Sequence, residues 1–366
     1  MNKSISMKAL TTASLLLLAV GGFEQRALAA DDTYRLTELR DLTHRRLTGV
    51  TIGSHLNNVS EVIGSATRDA GPSGGTLWHH FFSTELGDAT GQPIGAVHGI
   101  NDRSEVVGTL EEDGVFTPYI LRRQVVERID VGPYGWARAL NNRNEVALDH
   151  YASPNGTGGV VYWFNGVTRQ VQGTGISDWA SAINNAGAIC GASGNIIVAP
   201  SREPNVAWVW ANNVRTVIPP LPGDSGNGAE DINDHNEVVG QSRQGNSKTR
   251  GFLWRNGVNT DLQMTLTGDA NSAPWAINDS TLIVGWSGPN PFSQFGVSKA
   301  VIWRNGATRD LNSLIAADDP LKPYVRLYSA IDINDAGEII AQGVDSRASG
   351  EHAYFLRPTR LPNVNP

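Results

Sequence analysis

Short apolar segments alternate with polar turn residues along the whole chain, and one such pattern recurs seven times. Each copy runs from a Leu or Ile, through Asn-Asn or Asn-Asp, into an apolar segment, as in INDRSEVVG from Ile100 and INDHNEVVG from Ile232. The lead asparagines, about 46 residues apart on average, are Asn57, Asn101, Asn141, Asn184, Asn233, Asn278 and Asn334. Self-similarity at a nearly fixed period indicates a repeat architecture.

The polar centre of each copy predicts a tight structural turn between two strands, A before the lead Asn and B after it. Asn and Asp side chains hydrogen-bond to their own backbone in such turns. In four copies the third position after the lead Asn holds Asn144, Gly187, Asn236 or Gly337, residue types that accept positive φ. Glycine also recurs in strand B, where we expect neighbouring backbones to pass closely; these glycines are Gly64, Gly108, Gly191, Gly240 and Gly285.

A second apolar segment follows each first one, as in VVYWFNG from Val160 and AVIWRNG from Ala300. Asn-Gly after an apolar run is a strong hairpin signal, so this segment predicts a strand C and, beyond the turn, a strand D. Four short strands in about 46 residues are typical of a propeller blade. The sequence therefore predicts an all-β fold, a seven-bladed β-propeller of four-stranded blades.

The two ends of the chain supply one blade between them. The seventh copy ends at Pro358 without a strand D, whereas YRLTELRDL from Tyr34 resembles a strand D with no A, B or C before it. We expect this N-terminal strand to complete the last blade and close the ring. The predicted organisation is a signal peptide at 1–30, a single propeller at 31–360 and a short tail at 361–366.

The first thirty residues resemble an export signal. Lys3 and Lys8 precede a short apolar run, and small residues stand at Ala27 and Ala29, a pattern typical of secretory signal peptides. We expect cleavage near Ala29 or Ala30 and a secreted or periplasmic protein that does not insert into the membrane. Cys190 is the single cysteine, which excludes an intramolecular disulfide, and we expect a monomer without a cofactor.

The balance of basic and acidic residues argues against two classes of binding partner. Beyond the predicted signal peptide the chain has 26 basic and 35 acidic residues. This balance disfavours binding to a nucleic-acid backbone, which needs a basic surface, and docking on anionic lipid.

The motifs INDxxEVVG, HAYF or GFLW, and DL resemble the HAF repeats of exported bacterial proteins. The resemblance covers nearly all of residues 33–358, although strand B of the third copy, EVALDHY, and the first two C strands depart from the pattern. Membership of this family implies export and a β-repeat architecture. It implies no general activity or catalytic residues.

Loop lengths predict where a ligand would bind. The A–B and C–D turns are nearly constant in length, whereas the B–C and D–A connections vary, and the two classes lie on opposite faces of a propeller. Function is usually carried by loops on a rigid scaffold, so we place any site on the variable face, near the start of the A strands. The candidate ligand-binding residues there are His98, Trp136, Arg138, Trp179, Glu230 and Trp275. The competing interpretation is that the tryptophans pack between blades.

Three functions remain open at this stage. The leading hypothesis is a non-catalytic binding or scaffold module for a glycan or a surface protein of the envelope. A second is a polysaccharide hydrolase or lyase, for which Glu230, Asp231, Asp178, His98 and Arg138 are available; a third is a purely structural repeat protein. Metal chemistry is disfavoured because each Asn-Asp turn offers one carboxylate, whereas a calcium loop needs six or more oxygens; the turns concerned contain Asp102, Asp234, Asp279 and Asp335.

Overall fold

The computed structural model describes residues 33–43, 50–68, 73–79, 82–87, 91, 94–153, 156–171, 173, 177–194, 205–245, 247–290 and 297–360. The predicted signal peptide and the tail at 361–366 lie outside these ranges. Within them, no helix has the length and apolar character needed to cross a bilayer.

The described chain forms seven four-stranded antiparallel sheets, which confirms the predicted seven-bladed propeller. Strand β1 is Tyr34–Glu38. Blade 1 contains β2 (Thr51–Leu56), β3 (Glu61–Ala66), β4 (Gly74–His79) and β5 (Phe82–Glu85). Blade 2 contains β6 (Ala96–Ile100), β7 (Val106–Glu112), β8 (Val115–Arg122) and β9 (Val125–Arg128). Blade 3 contains β10 (Gly135–Leu140), β11 (Val146–Tyr151), β12 (Gly158–Phe164) and β13 (Val167–Gln170).

The remaining blades follow the same order. Blade 4 contains β14 (Ser177–Ile183), β15 (Ile189–Gly194), β16 (Val206–Ala211) and β17 (Val214–Ile218). Blade 5 contains β18 (Gly226–Ile232), β19 (Val238–Gln244), β20 (Lys248–Arg255) and β21 (Val258–Asp261). Blade 6 contains β22 (Asn271–Ile277), β23 (Ile283–Gly288), β24 (Lys299–Arg304) and β25 (Ala307–Asp310), followed by the short helix α1 (Leu311–Leu314). Blade 7 contains β26 (Val325–Ile333), β27 (Ile339–Asp345) and β28 (His352–Pro358).

The N-terminal strand closes the ring, as the sequence predicted. Strand β1 pairs antiparallel with β28, from Tyr34 opposite Pro358 to Glu38 opposite Tyr354. It thereby becomes the outermost strand of blade 7 in the order β1-β28-β27-β26. Two of its side chains, Tyr34 and Leu36, are buried in the core between blades 6 and 7.

The contrast between fixed and variable connections is confirmed. Every C–D turn has two residues and every A–B turn has four or five. The B–C connections range from two to eleven residues and the D–A connections from six to fourteen. The face formed by the A–B and C–D turns is called the fixed face below, and the opposite one the variable face.

Backbone conformation in the turns follows their residue types. In the C–D turns of blades 3, 5 and 6 an Asn with φ near 50° precedes a Gly with φ near 80°, the two positive values of a type I′ turn. The third position after the lead Asn has positive φ in all seven A–B turns, which confirms the prediction for Asn144, Gly187, Asn236 and Gly337. Ser60, Ser104 and Thr281 adopt it as well. Their hydroxyls donate to glutamates of the preceding blade, which compensates for an unfavourable conformation.

Strand-B glycines lie where strand A approaches most closely. A Cβ atom on Gly285 would stand 2.0 Å from the Ala273 carbonyl oxygen, and one on Gly64 would stand 1.9 Å from that of Ile52. Side chains cannot enter this space without moving the backbone. The expected close approach is thus confirmed.

The lead asparagines form a closed hydrogen-bonded ring around the mouth of the channel on the fixed face, here called the inner ring. Each is at most 4 % exposed. Each side-chain Nδ2 donates to the backbone carbonyl of the lead Asn in the next blade over 2.9–3.3 Å, and Asn334 donates back to Asn57. Each Oδ1 accepts backbone N–H groups of its own turn, as with Glu61 for Asn57 at 2.8 Å. The predicted turn residues therefore also join the blades.

The residues that follow the lead asparagines form a second closed ring, here called the outer ring. Each backbone N–H donates to the side-chain Oδ1 of the same position in the next blade, over 2.7–3.0 Å. The members are Asn58, Asp102, Asn142, Asn185, Asp234, Asp279 and Asp335. Burial, the carboxylate of Asp335 and that of Asp234 raise the pKa of Asp279.

The hydrophobic core consists of clusters between adjacent blades. Trp78 and Trp208 are almost fully buried in these clusters, and Trp286 is buried to the same degree. The strand-C residues Trp163 and Trp210 are buried in the same way, as expected for packing side chains. The single cysteine, Cys190, is also buried in one of these clusters, so its thiol contributes to packing.

Candidate functional site

The innermost strand of every blade has a β-bulge three residues before its lead Asn. The strand register shifts at this point in all seven A strands. The bulged residues are Ser54, His98, Arg138, Ser181, Glu230, Trp275 and Ile331. A bulge inserts one unpaired residue and redirects its side chain. As a result, two consecutive residues of a strand can face the central channel.

A cavity of about 150 Å³ occupies the channel at this level. Five of the bulged residues line it, together with the residue after each bulge in all seven blades: His55, Gly99, Ala139, Ala182, Asp231, Ala276 and Asp332. The cavity also contacts part of a ring of Leu and Ile side chains that directly precede the lead asparagines. This ring, here called the collar, comprises Leu56, Ile100, Leu140, Ile183, Ile232, Ile277 and Ile333. The collar separates the cavity from the polar mouth on the fixed face.

Three of the six predicted ligand-binding residues line this cavity. His98, Glu230 and Trp275 do so from blades 2, 5 and 6. Arg138 is bulged as well, but its Nε donates to the fully buried carboxylate of Asp149 at 2.6 Å. Arg138 therefore lies beside the cavity and is held by an ion pair.

The two other predicted residues lie outside the lining. Trp136 stacks on Phe116 of blade 2 with ring centroids 4.7 Å apart, and its ring meets the edge of Tyr151 at 5.1 Å. This is the packing position considered as the competing interpretation. Trp179 occupies the equivalent place in blade 4 and is partly buried. Asp178, considered for catalysis, lies in an ion pair with Arg215 in blade 4, its side chain 3 % exposed.

The sequence interpretation did not include His55 and Asp332 among the candidate site residues, and it considered Asp231 for catalysis without recognising that this residue joins two blades. Asp231 accepts the backbone N–H of Ile232 and, across the blade boundary, that of Ile277, each at 2.8 Å. Asp332 does the same with Ile333 and with Leu56 of blade 1. His55, Asp231 and Asp332 all stand two residues before a lead Asn. A polar residue at this position of the repeat is the sequence feature that could have identified them.

Burial shifts the ionisation of the groups around the cavity. It raises the pKa of Glu230 to about 7, against the effect of Arg243 and of a hydrogen bond from Gln241. Burial and the nearby charge of Asp332 raise the pKa of Asp231 to about 7. Burial and the positive charges of Arg138 and His55 lower the pKa of His98 to about 4. His98 is therefore uncharged at neutral pH, whereas Glu230 and Asp231 keep their protons to a higher pH than ordinary carboxyl groups do.

These shifts predict how stability depends on pH. Glu230 has a raised pKa when folded, so the folded state keeps a proton that the unfolded chain has already released between pH 4.5 and 7. We expect its contribution to stability to be fully present below pH 4.5, to fall by about 3 kcal/mol as the pH rises through 7, and to be constant above about pH 8. Urea unfolding of wild type and Glu230→Gln at pH 5 and pH 8 measures this. Wild type should lose more stability between the two values than the variant.

The wild-type profile alone is not decisive. His98 acts in the opposite direction, because its lowered pKa removes stability as pH falls from 6.5 to 4. The difference between wild type and Glu230→Gln isolates the carboxyl group. Parallel curves for the two proteins would refute the assigned shift.

Metal ligation has no support in the described part of the chain. No three His, Cys, Asp or Glu side chains converge there in a way that could hold a metal ion. The aspartates of the outer ring instead accept backbone N–H groups.

Comparison with known proteins identifies the fold only. No family model and no curated protein matches the chain. Among solved structures, the β-propeller domain of the trilobed protease from Pyrococcus furiosus, which has an open velcro topology, aligns with a TM-score of 0.50 and 10 % identity over 74 % of this chain and 83 % of that one.

Two further structures are similar. Prolyl endopeptidases align with a TM-score of 0.55 and 8 % identity over 90 % of this chain, which spans about half (50 %) of theirs. TolB from Acinetobacter baumannii aligns with a TM-score of 0.41 and 13 % identity over 71 % of this chain and 65 % of that one. At such identities the likeness to the trilobed-protease domain and to the prolyl endopeptidases establishes a propeller and nothing about activity.

Proposed function

We propose that the protein is an exported, non-catalytic binding or scaffold module that recognises a glycan or a surface protein through its variable face. The observation that carries this proposal is the division between the two faces. On the fixed face, side chains of all seven A–B turns join the blades through the inner and outer rings. The variable face instead presents connections of very different lengths, an arrangement typical of recognition surfaces on rigid scaffolds.

The state of the carboxylates favours binding over hydrolysis. A glycoside hydrolase needs two carboxyl groups that act on one bond, one as acid and one as base or nucleophile. Asp231 and Asp332 each accept two backbone hydrogen bonds that join neighbouring blades. Asp149 is held by Arg138 and by the backbone N–H of Ala180. Among the described residues that line the cavity, Glu230 then has no second carboxylate that is free to move toward a substrate.

Binding can be tested with residues 31–366 on an array of glycans and polysaccharides, and in parallel on immobilised envelope proteins. We expect retention of one ligand class and at least a tenfold weaker affinity in Trp179→Ala or Trp275→Ala, which alter the variable face and the cavity. Asp279→Asn on the fixed face is the matched control and should bind like wild type.

Other outcomes separate the alternatives. Turnover of a bound polysaccharide that is lost in Glu230→Gln would establish the hydrolase or lyase. No retention of any glycan or envelope protein would favour a purely structural role. Equal losses in Asp279→Asn and the variable-face variants would reject recognition through the variable face.

A further inference from the structure

The cavity in the channel exists because small residues stand at four of the seven positions that follow the bulges. These are Gly99, Ala139, Ala182 and Ala276, while the other three positions hold His55, Asp231 and Asp332. The small residues occur together with the polar ones at a single level of the channel. A cavity of about 150 Å³ accommodates a ligand of roughly six non-hydrogen atoms.

The cavity wall is acidic. Glu230, Asp231 and Asp332 all line it, and no Lys or Arg is among its lining residues. His55 lies 3.7 Å from the Asp332 carboxylate and its side chain is 44 % exposed. His98 is uncharged at neutral pH because burial lowers its pKa. The wall therefore favours a positively charged ligand.

An indole forms part of the same wall. Trp275 lines the cavity, and its Nε1 donates to the Ser329 hydroxyl at 3.0 Å, which fixes the orientation of the ring. Cations are attracted to the face of an indole. The alanine methyl groups and the collar add apolar surface for a short hydrocarbon chain.

We propose that this cavity binds a primary alkylammonium group, with the ammonium among Glu230, Asp231 and Asp332 and the hydrocarbon chain against Trp275. An ammonium has three N–H donors, and carboxylates line the cavity from blade 5, with Glu230 and Asp231, and from blade 7, with Asp332. An inorganic cation would use the carboxylates but not the indole or the alanine surface. The inference rests on the proposed function and deepens it by naming a ligand chemistry for the cavity inside the channel.

Calorimetric titration of residues 31–366 with n-butylammonium chloride tests this directly. We expect n-butylammonium to bind at least tenfold more tightly than n-butanol, its neutral analogue. Glu230→Gln should weaken binding by about tenfold or more, and Ala182→Leu, which fills the cavity without changing its charge, should abolish it. Asp279→Asn removes a carboxylate from the opposite mouth and should leave the affinity unchanged.

The pH profile supplies a second readout. Glu230 and Asp231 face His55, His98 and Asp332 across the cavity, with Arg138 and Arg243 nearby. Both carboxyls have a pKa of about 7. For each of them, the ratio of the ionised to the neutral form is therefore about tenfold lower at pH 6 than at pH 7. Affinity should therefore fall at least about tenfold from pH 8 to pH 6, and less steeply in Glu230→Gln.

Three results would overturn the proposal. They are equal affinity for n-butylammonium and n-butanol, unchanged binding in Ala182→Leu with a thermal transition like that of wild type, and displacement of the amine by millimolar calcium. Ala276→Val repeats the steric test if Ala182→Leu does not fold. A blocked lysine, Nα-acetyl-lysine methylamide, distinguishes a free amine from a side chain that a partner could insert. Because these titrations need no glycan or envelope protein, their failure is separable from failure of the proposed function.

Discussion

A chain of residues 40–366 should be less stable than one of residues 31–366 by about 5 kcal/mol or more, or should fail to fold. The missing strand β1 supplies five backbone pairs to β28 and the buried side chains of Tyr34 and Leu36. Burying side chains of this size contributes about 1.5–3 kcal/mol each, and the loss of β1 also leaves β28 as an unpaired edge. Urea unfolding followed by tryptophan fluorescence measures the difference.

A covalent closure provides the converse test. The Thr33 and Thr359 hydroxyls lie 2.8 Å apart across the junction of the two ends. The double variant Thr33→Cys/Thr359→Cys should form a disulfide that raises the thermal midpoint over its reduced form, with an upper bound of about 6 kcal/mol from loop entropy. The buried Cys190 is not expected to compete. A stable, cooperatively folding chain of residues 40–366 would show that ring closure by β1 is dispensable.

Asn233→Ala should cost about 3 kcal/mol, although it removes only a turn side chain. Oδ1 of Asn233 accepts the N–H groups of His235 and Glu237 at 3.1 and 2.9 Å. Nδ2 donates to the Glu237 carboxylate at 2.8 Å and to the Asn278 carbonyl at 3.1 Å. Alanine would leave buried partners unsatisfied, at about 1–3 kcal/mol for each. Chemical denaturation at pH 7 is the measurement.

An isosteric substitution distinguishes the contribution of the hydrogen bonds within the turn from that of the inner-ring hydrogen bond between blades. Asn233→Asp keeps the acceptor of the turn but replaces the donor with an oxygen that faces Glu237 and the Asn278 carbonyl, so it should destabilise at least as much as alanine at pH 7. The neighbouring Asp279→Asn keeps its acceptor and relieves repulsion from Asp234 and Asp335; it should be neutral or slightly stabilising. If Asn233→Asp were as stable as wild type, the ring bond would contribute nothing measurable.

The features that the sequence predicted correctly are those set by local rules. Asn-Gly after an apolar run specified the C–D hairpins, and Asn or Gly at the third position after the lead Asn indicated positive φ there. Counting strands placed Tyr34–Glu38 in blade 7, because the seventh copy lacked a strand D. The unequal lengths of the B–C and D–A connections, which can be read from the repeats alone, identified the variable face.

The features that the sequence did not reveal arise from closure of the ring. The β-bulges cannot be recognised from the alternation of polar and apolar residues within one strand, because a bulged residue is defined only by its pairing with the partner strand. This holds for the bulges at His98, Arg138, Glu230 and Trp275. Hydrogen bonds between lead asparagines join residues at least 40 positions apart. The sequence around Trp136 does not show whether its ring is exposed to a ligand or packed, because its stacking partner Phe116 comes from another blade.

The inner ring has a consequence for how such chains can change over evolutionary time. Each blade brings one amide donor and one carbonyl acceptor, and all seven bonds run in the same direction around the axis. Duplication or loss of one whole repeat would leave no inner-ring group without a partner once the circle closed again. Insertion of half a repeat would break both rings at once. The inner-ring hydrogen bonds therefore do not determine the number of repeats, and the packing of neighbouring sheets must set that number at seven.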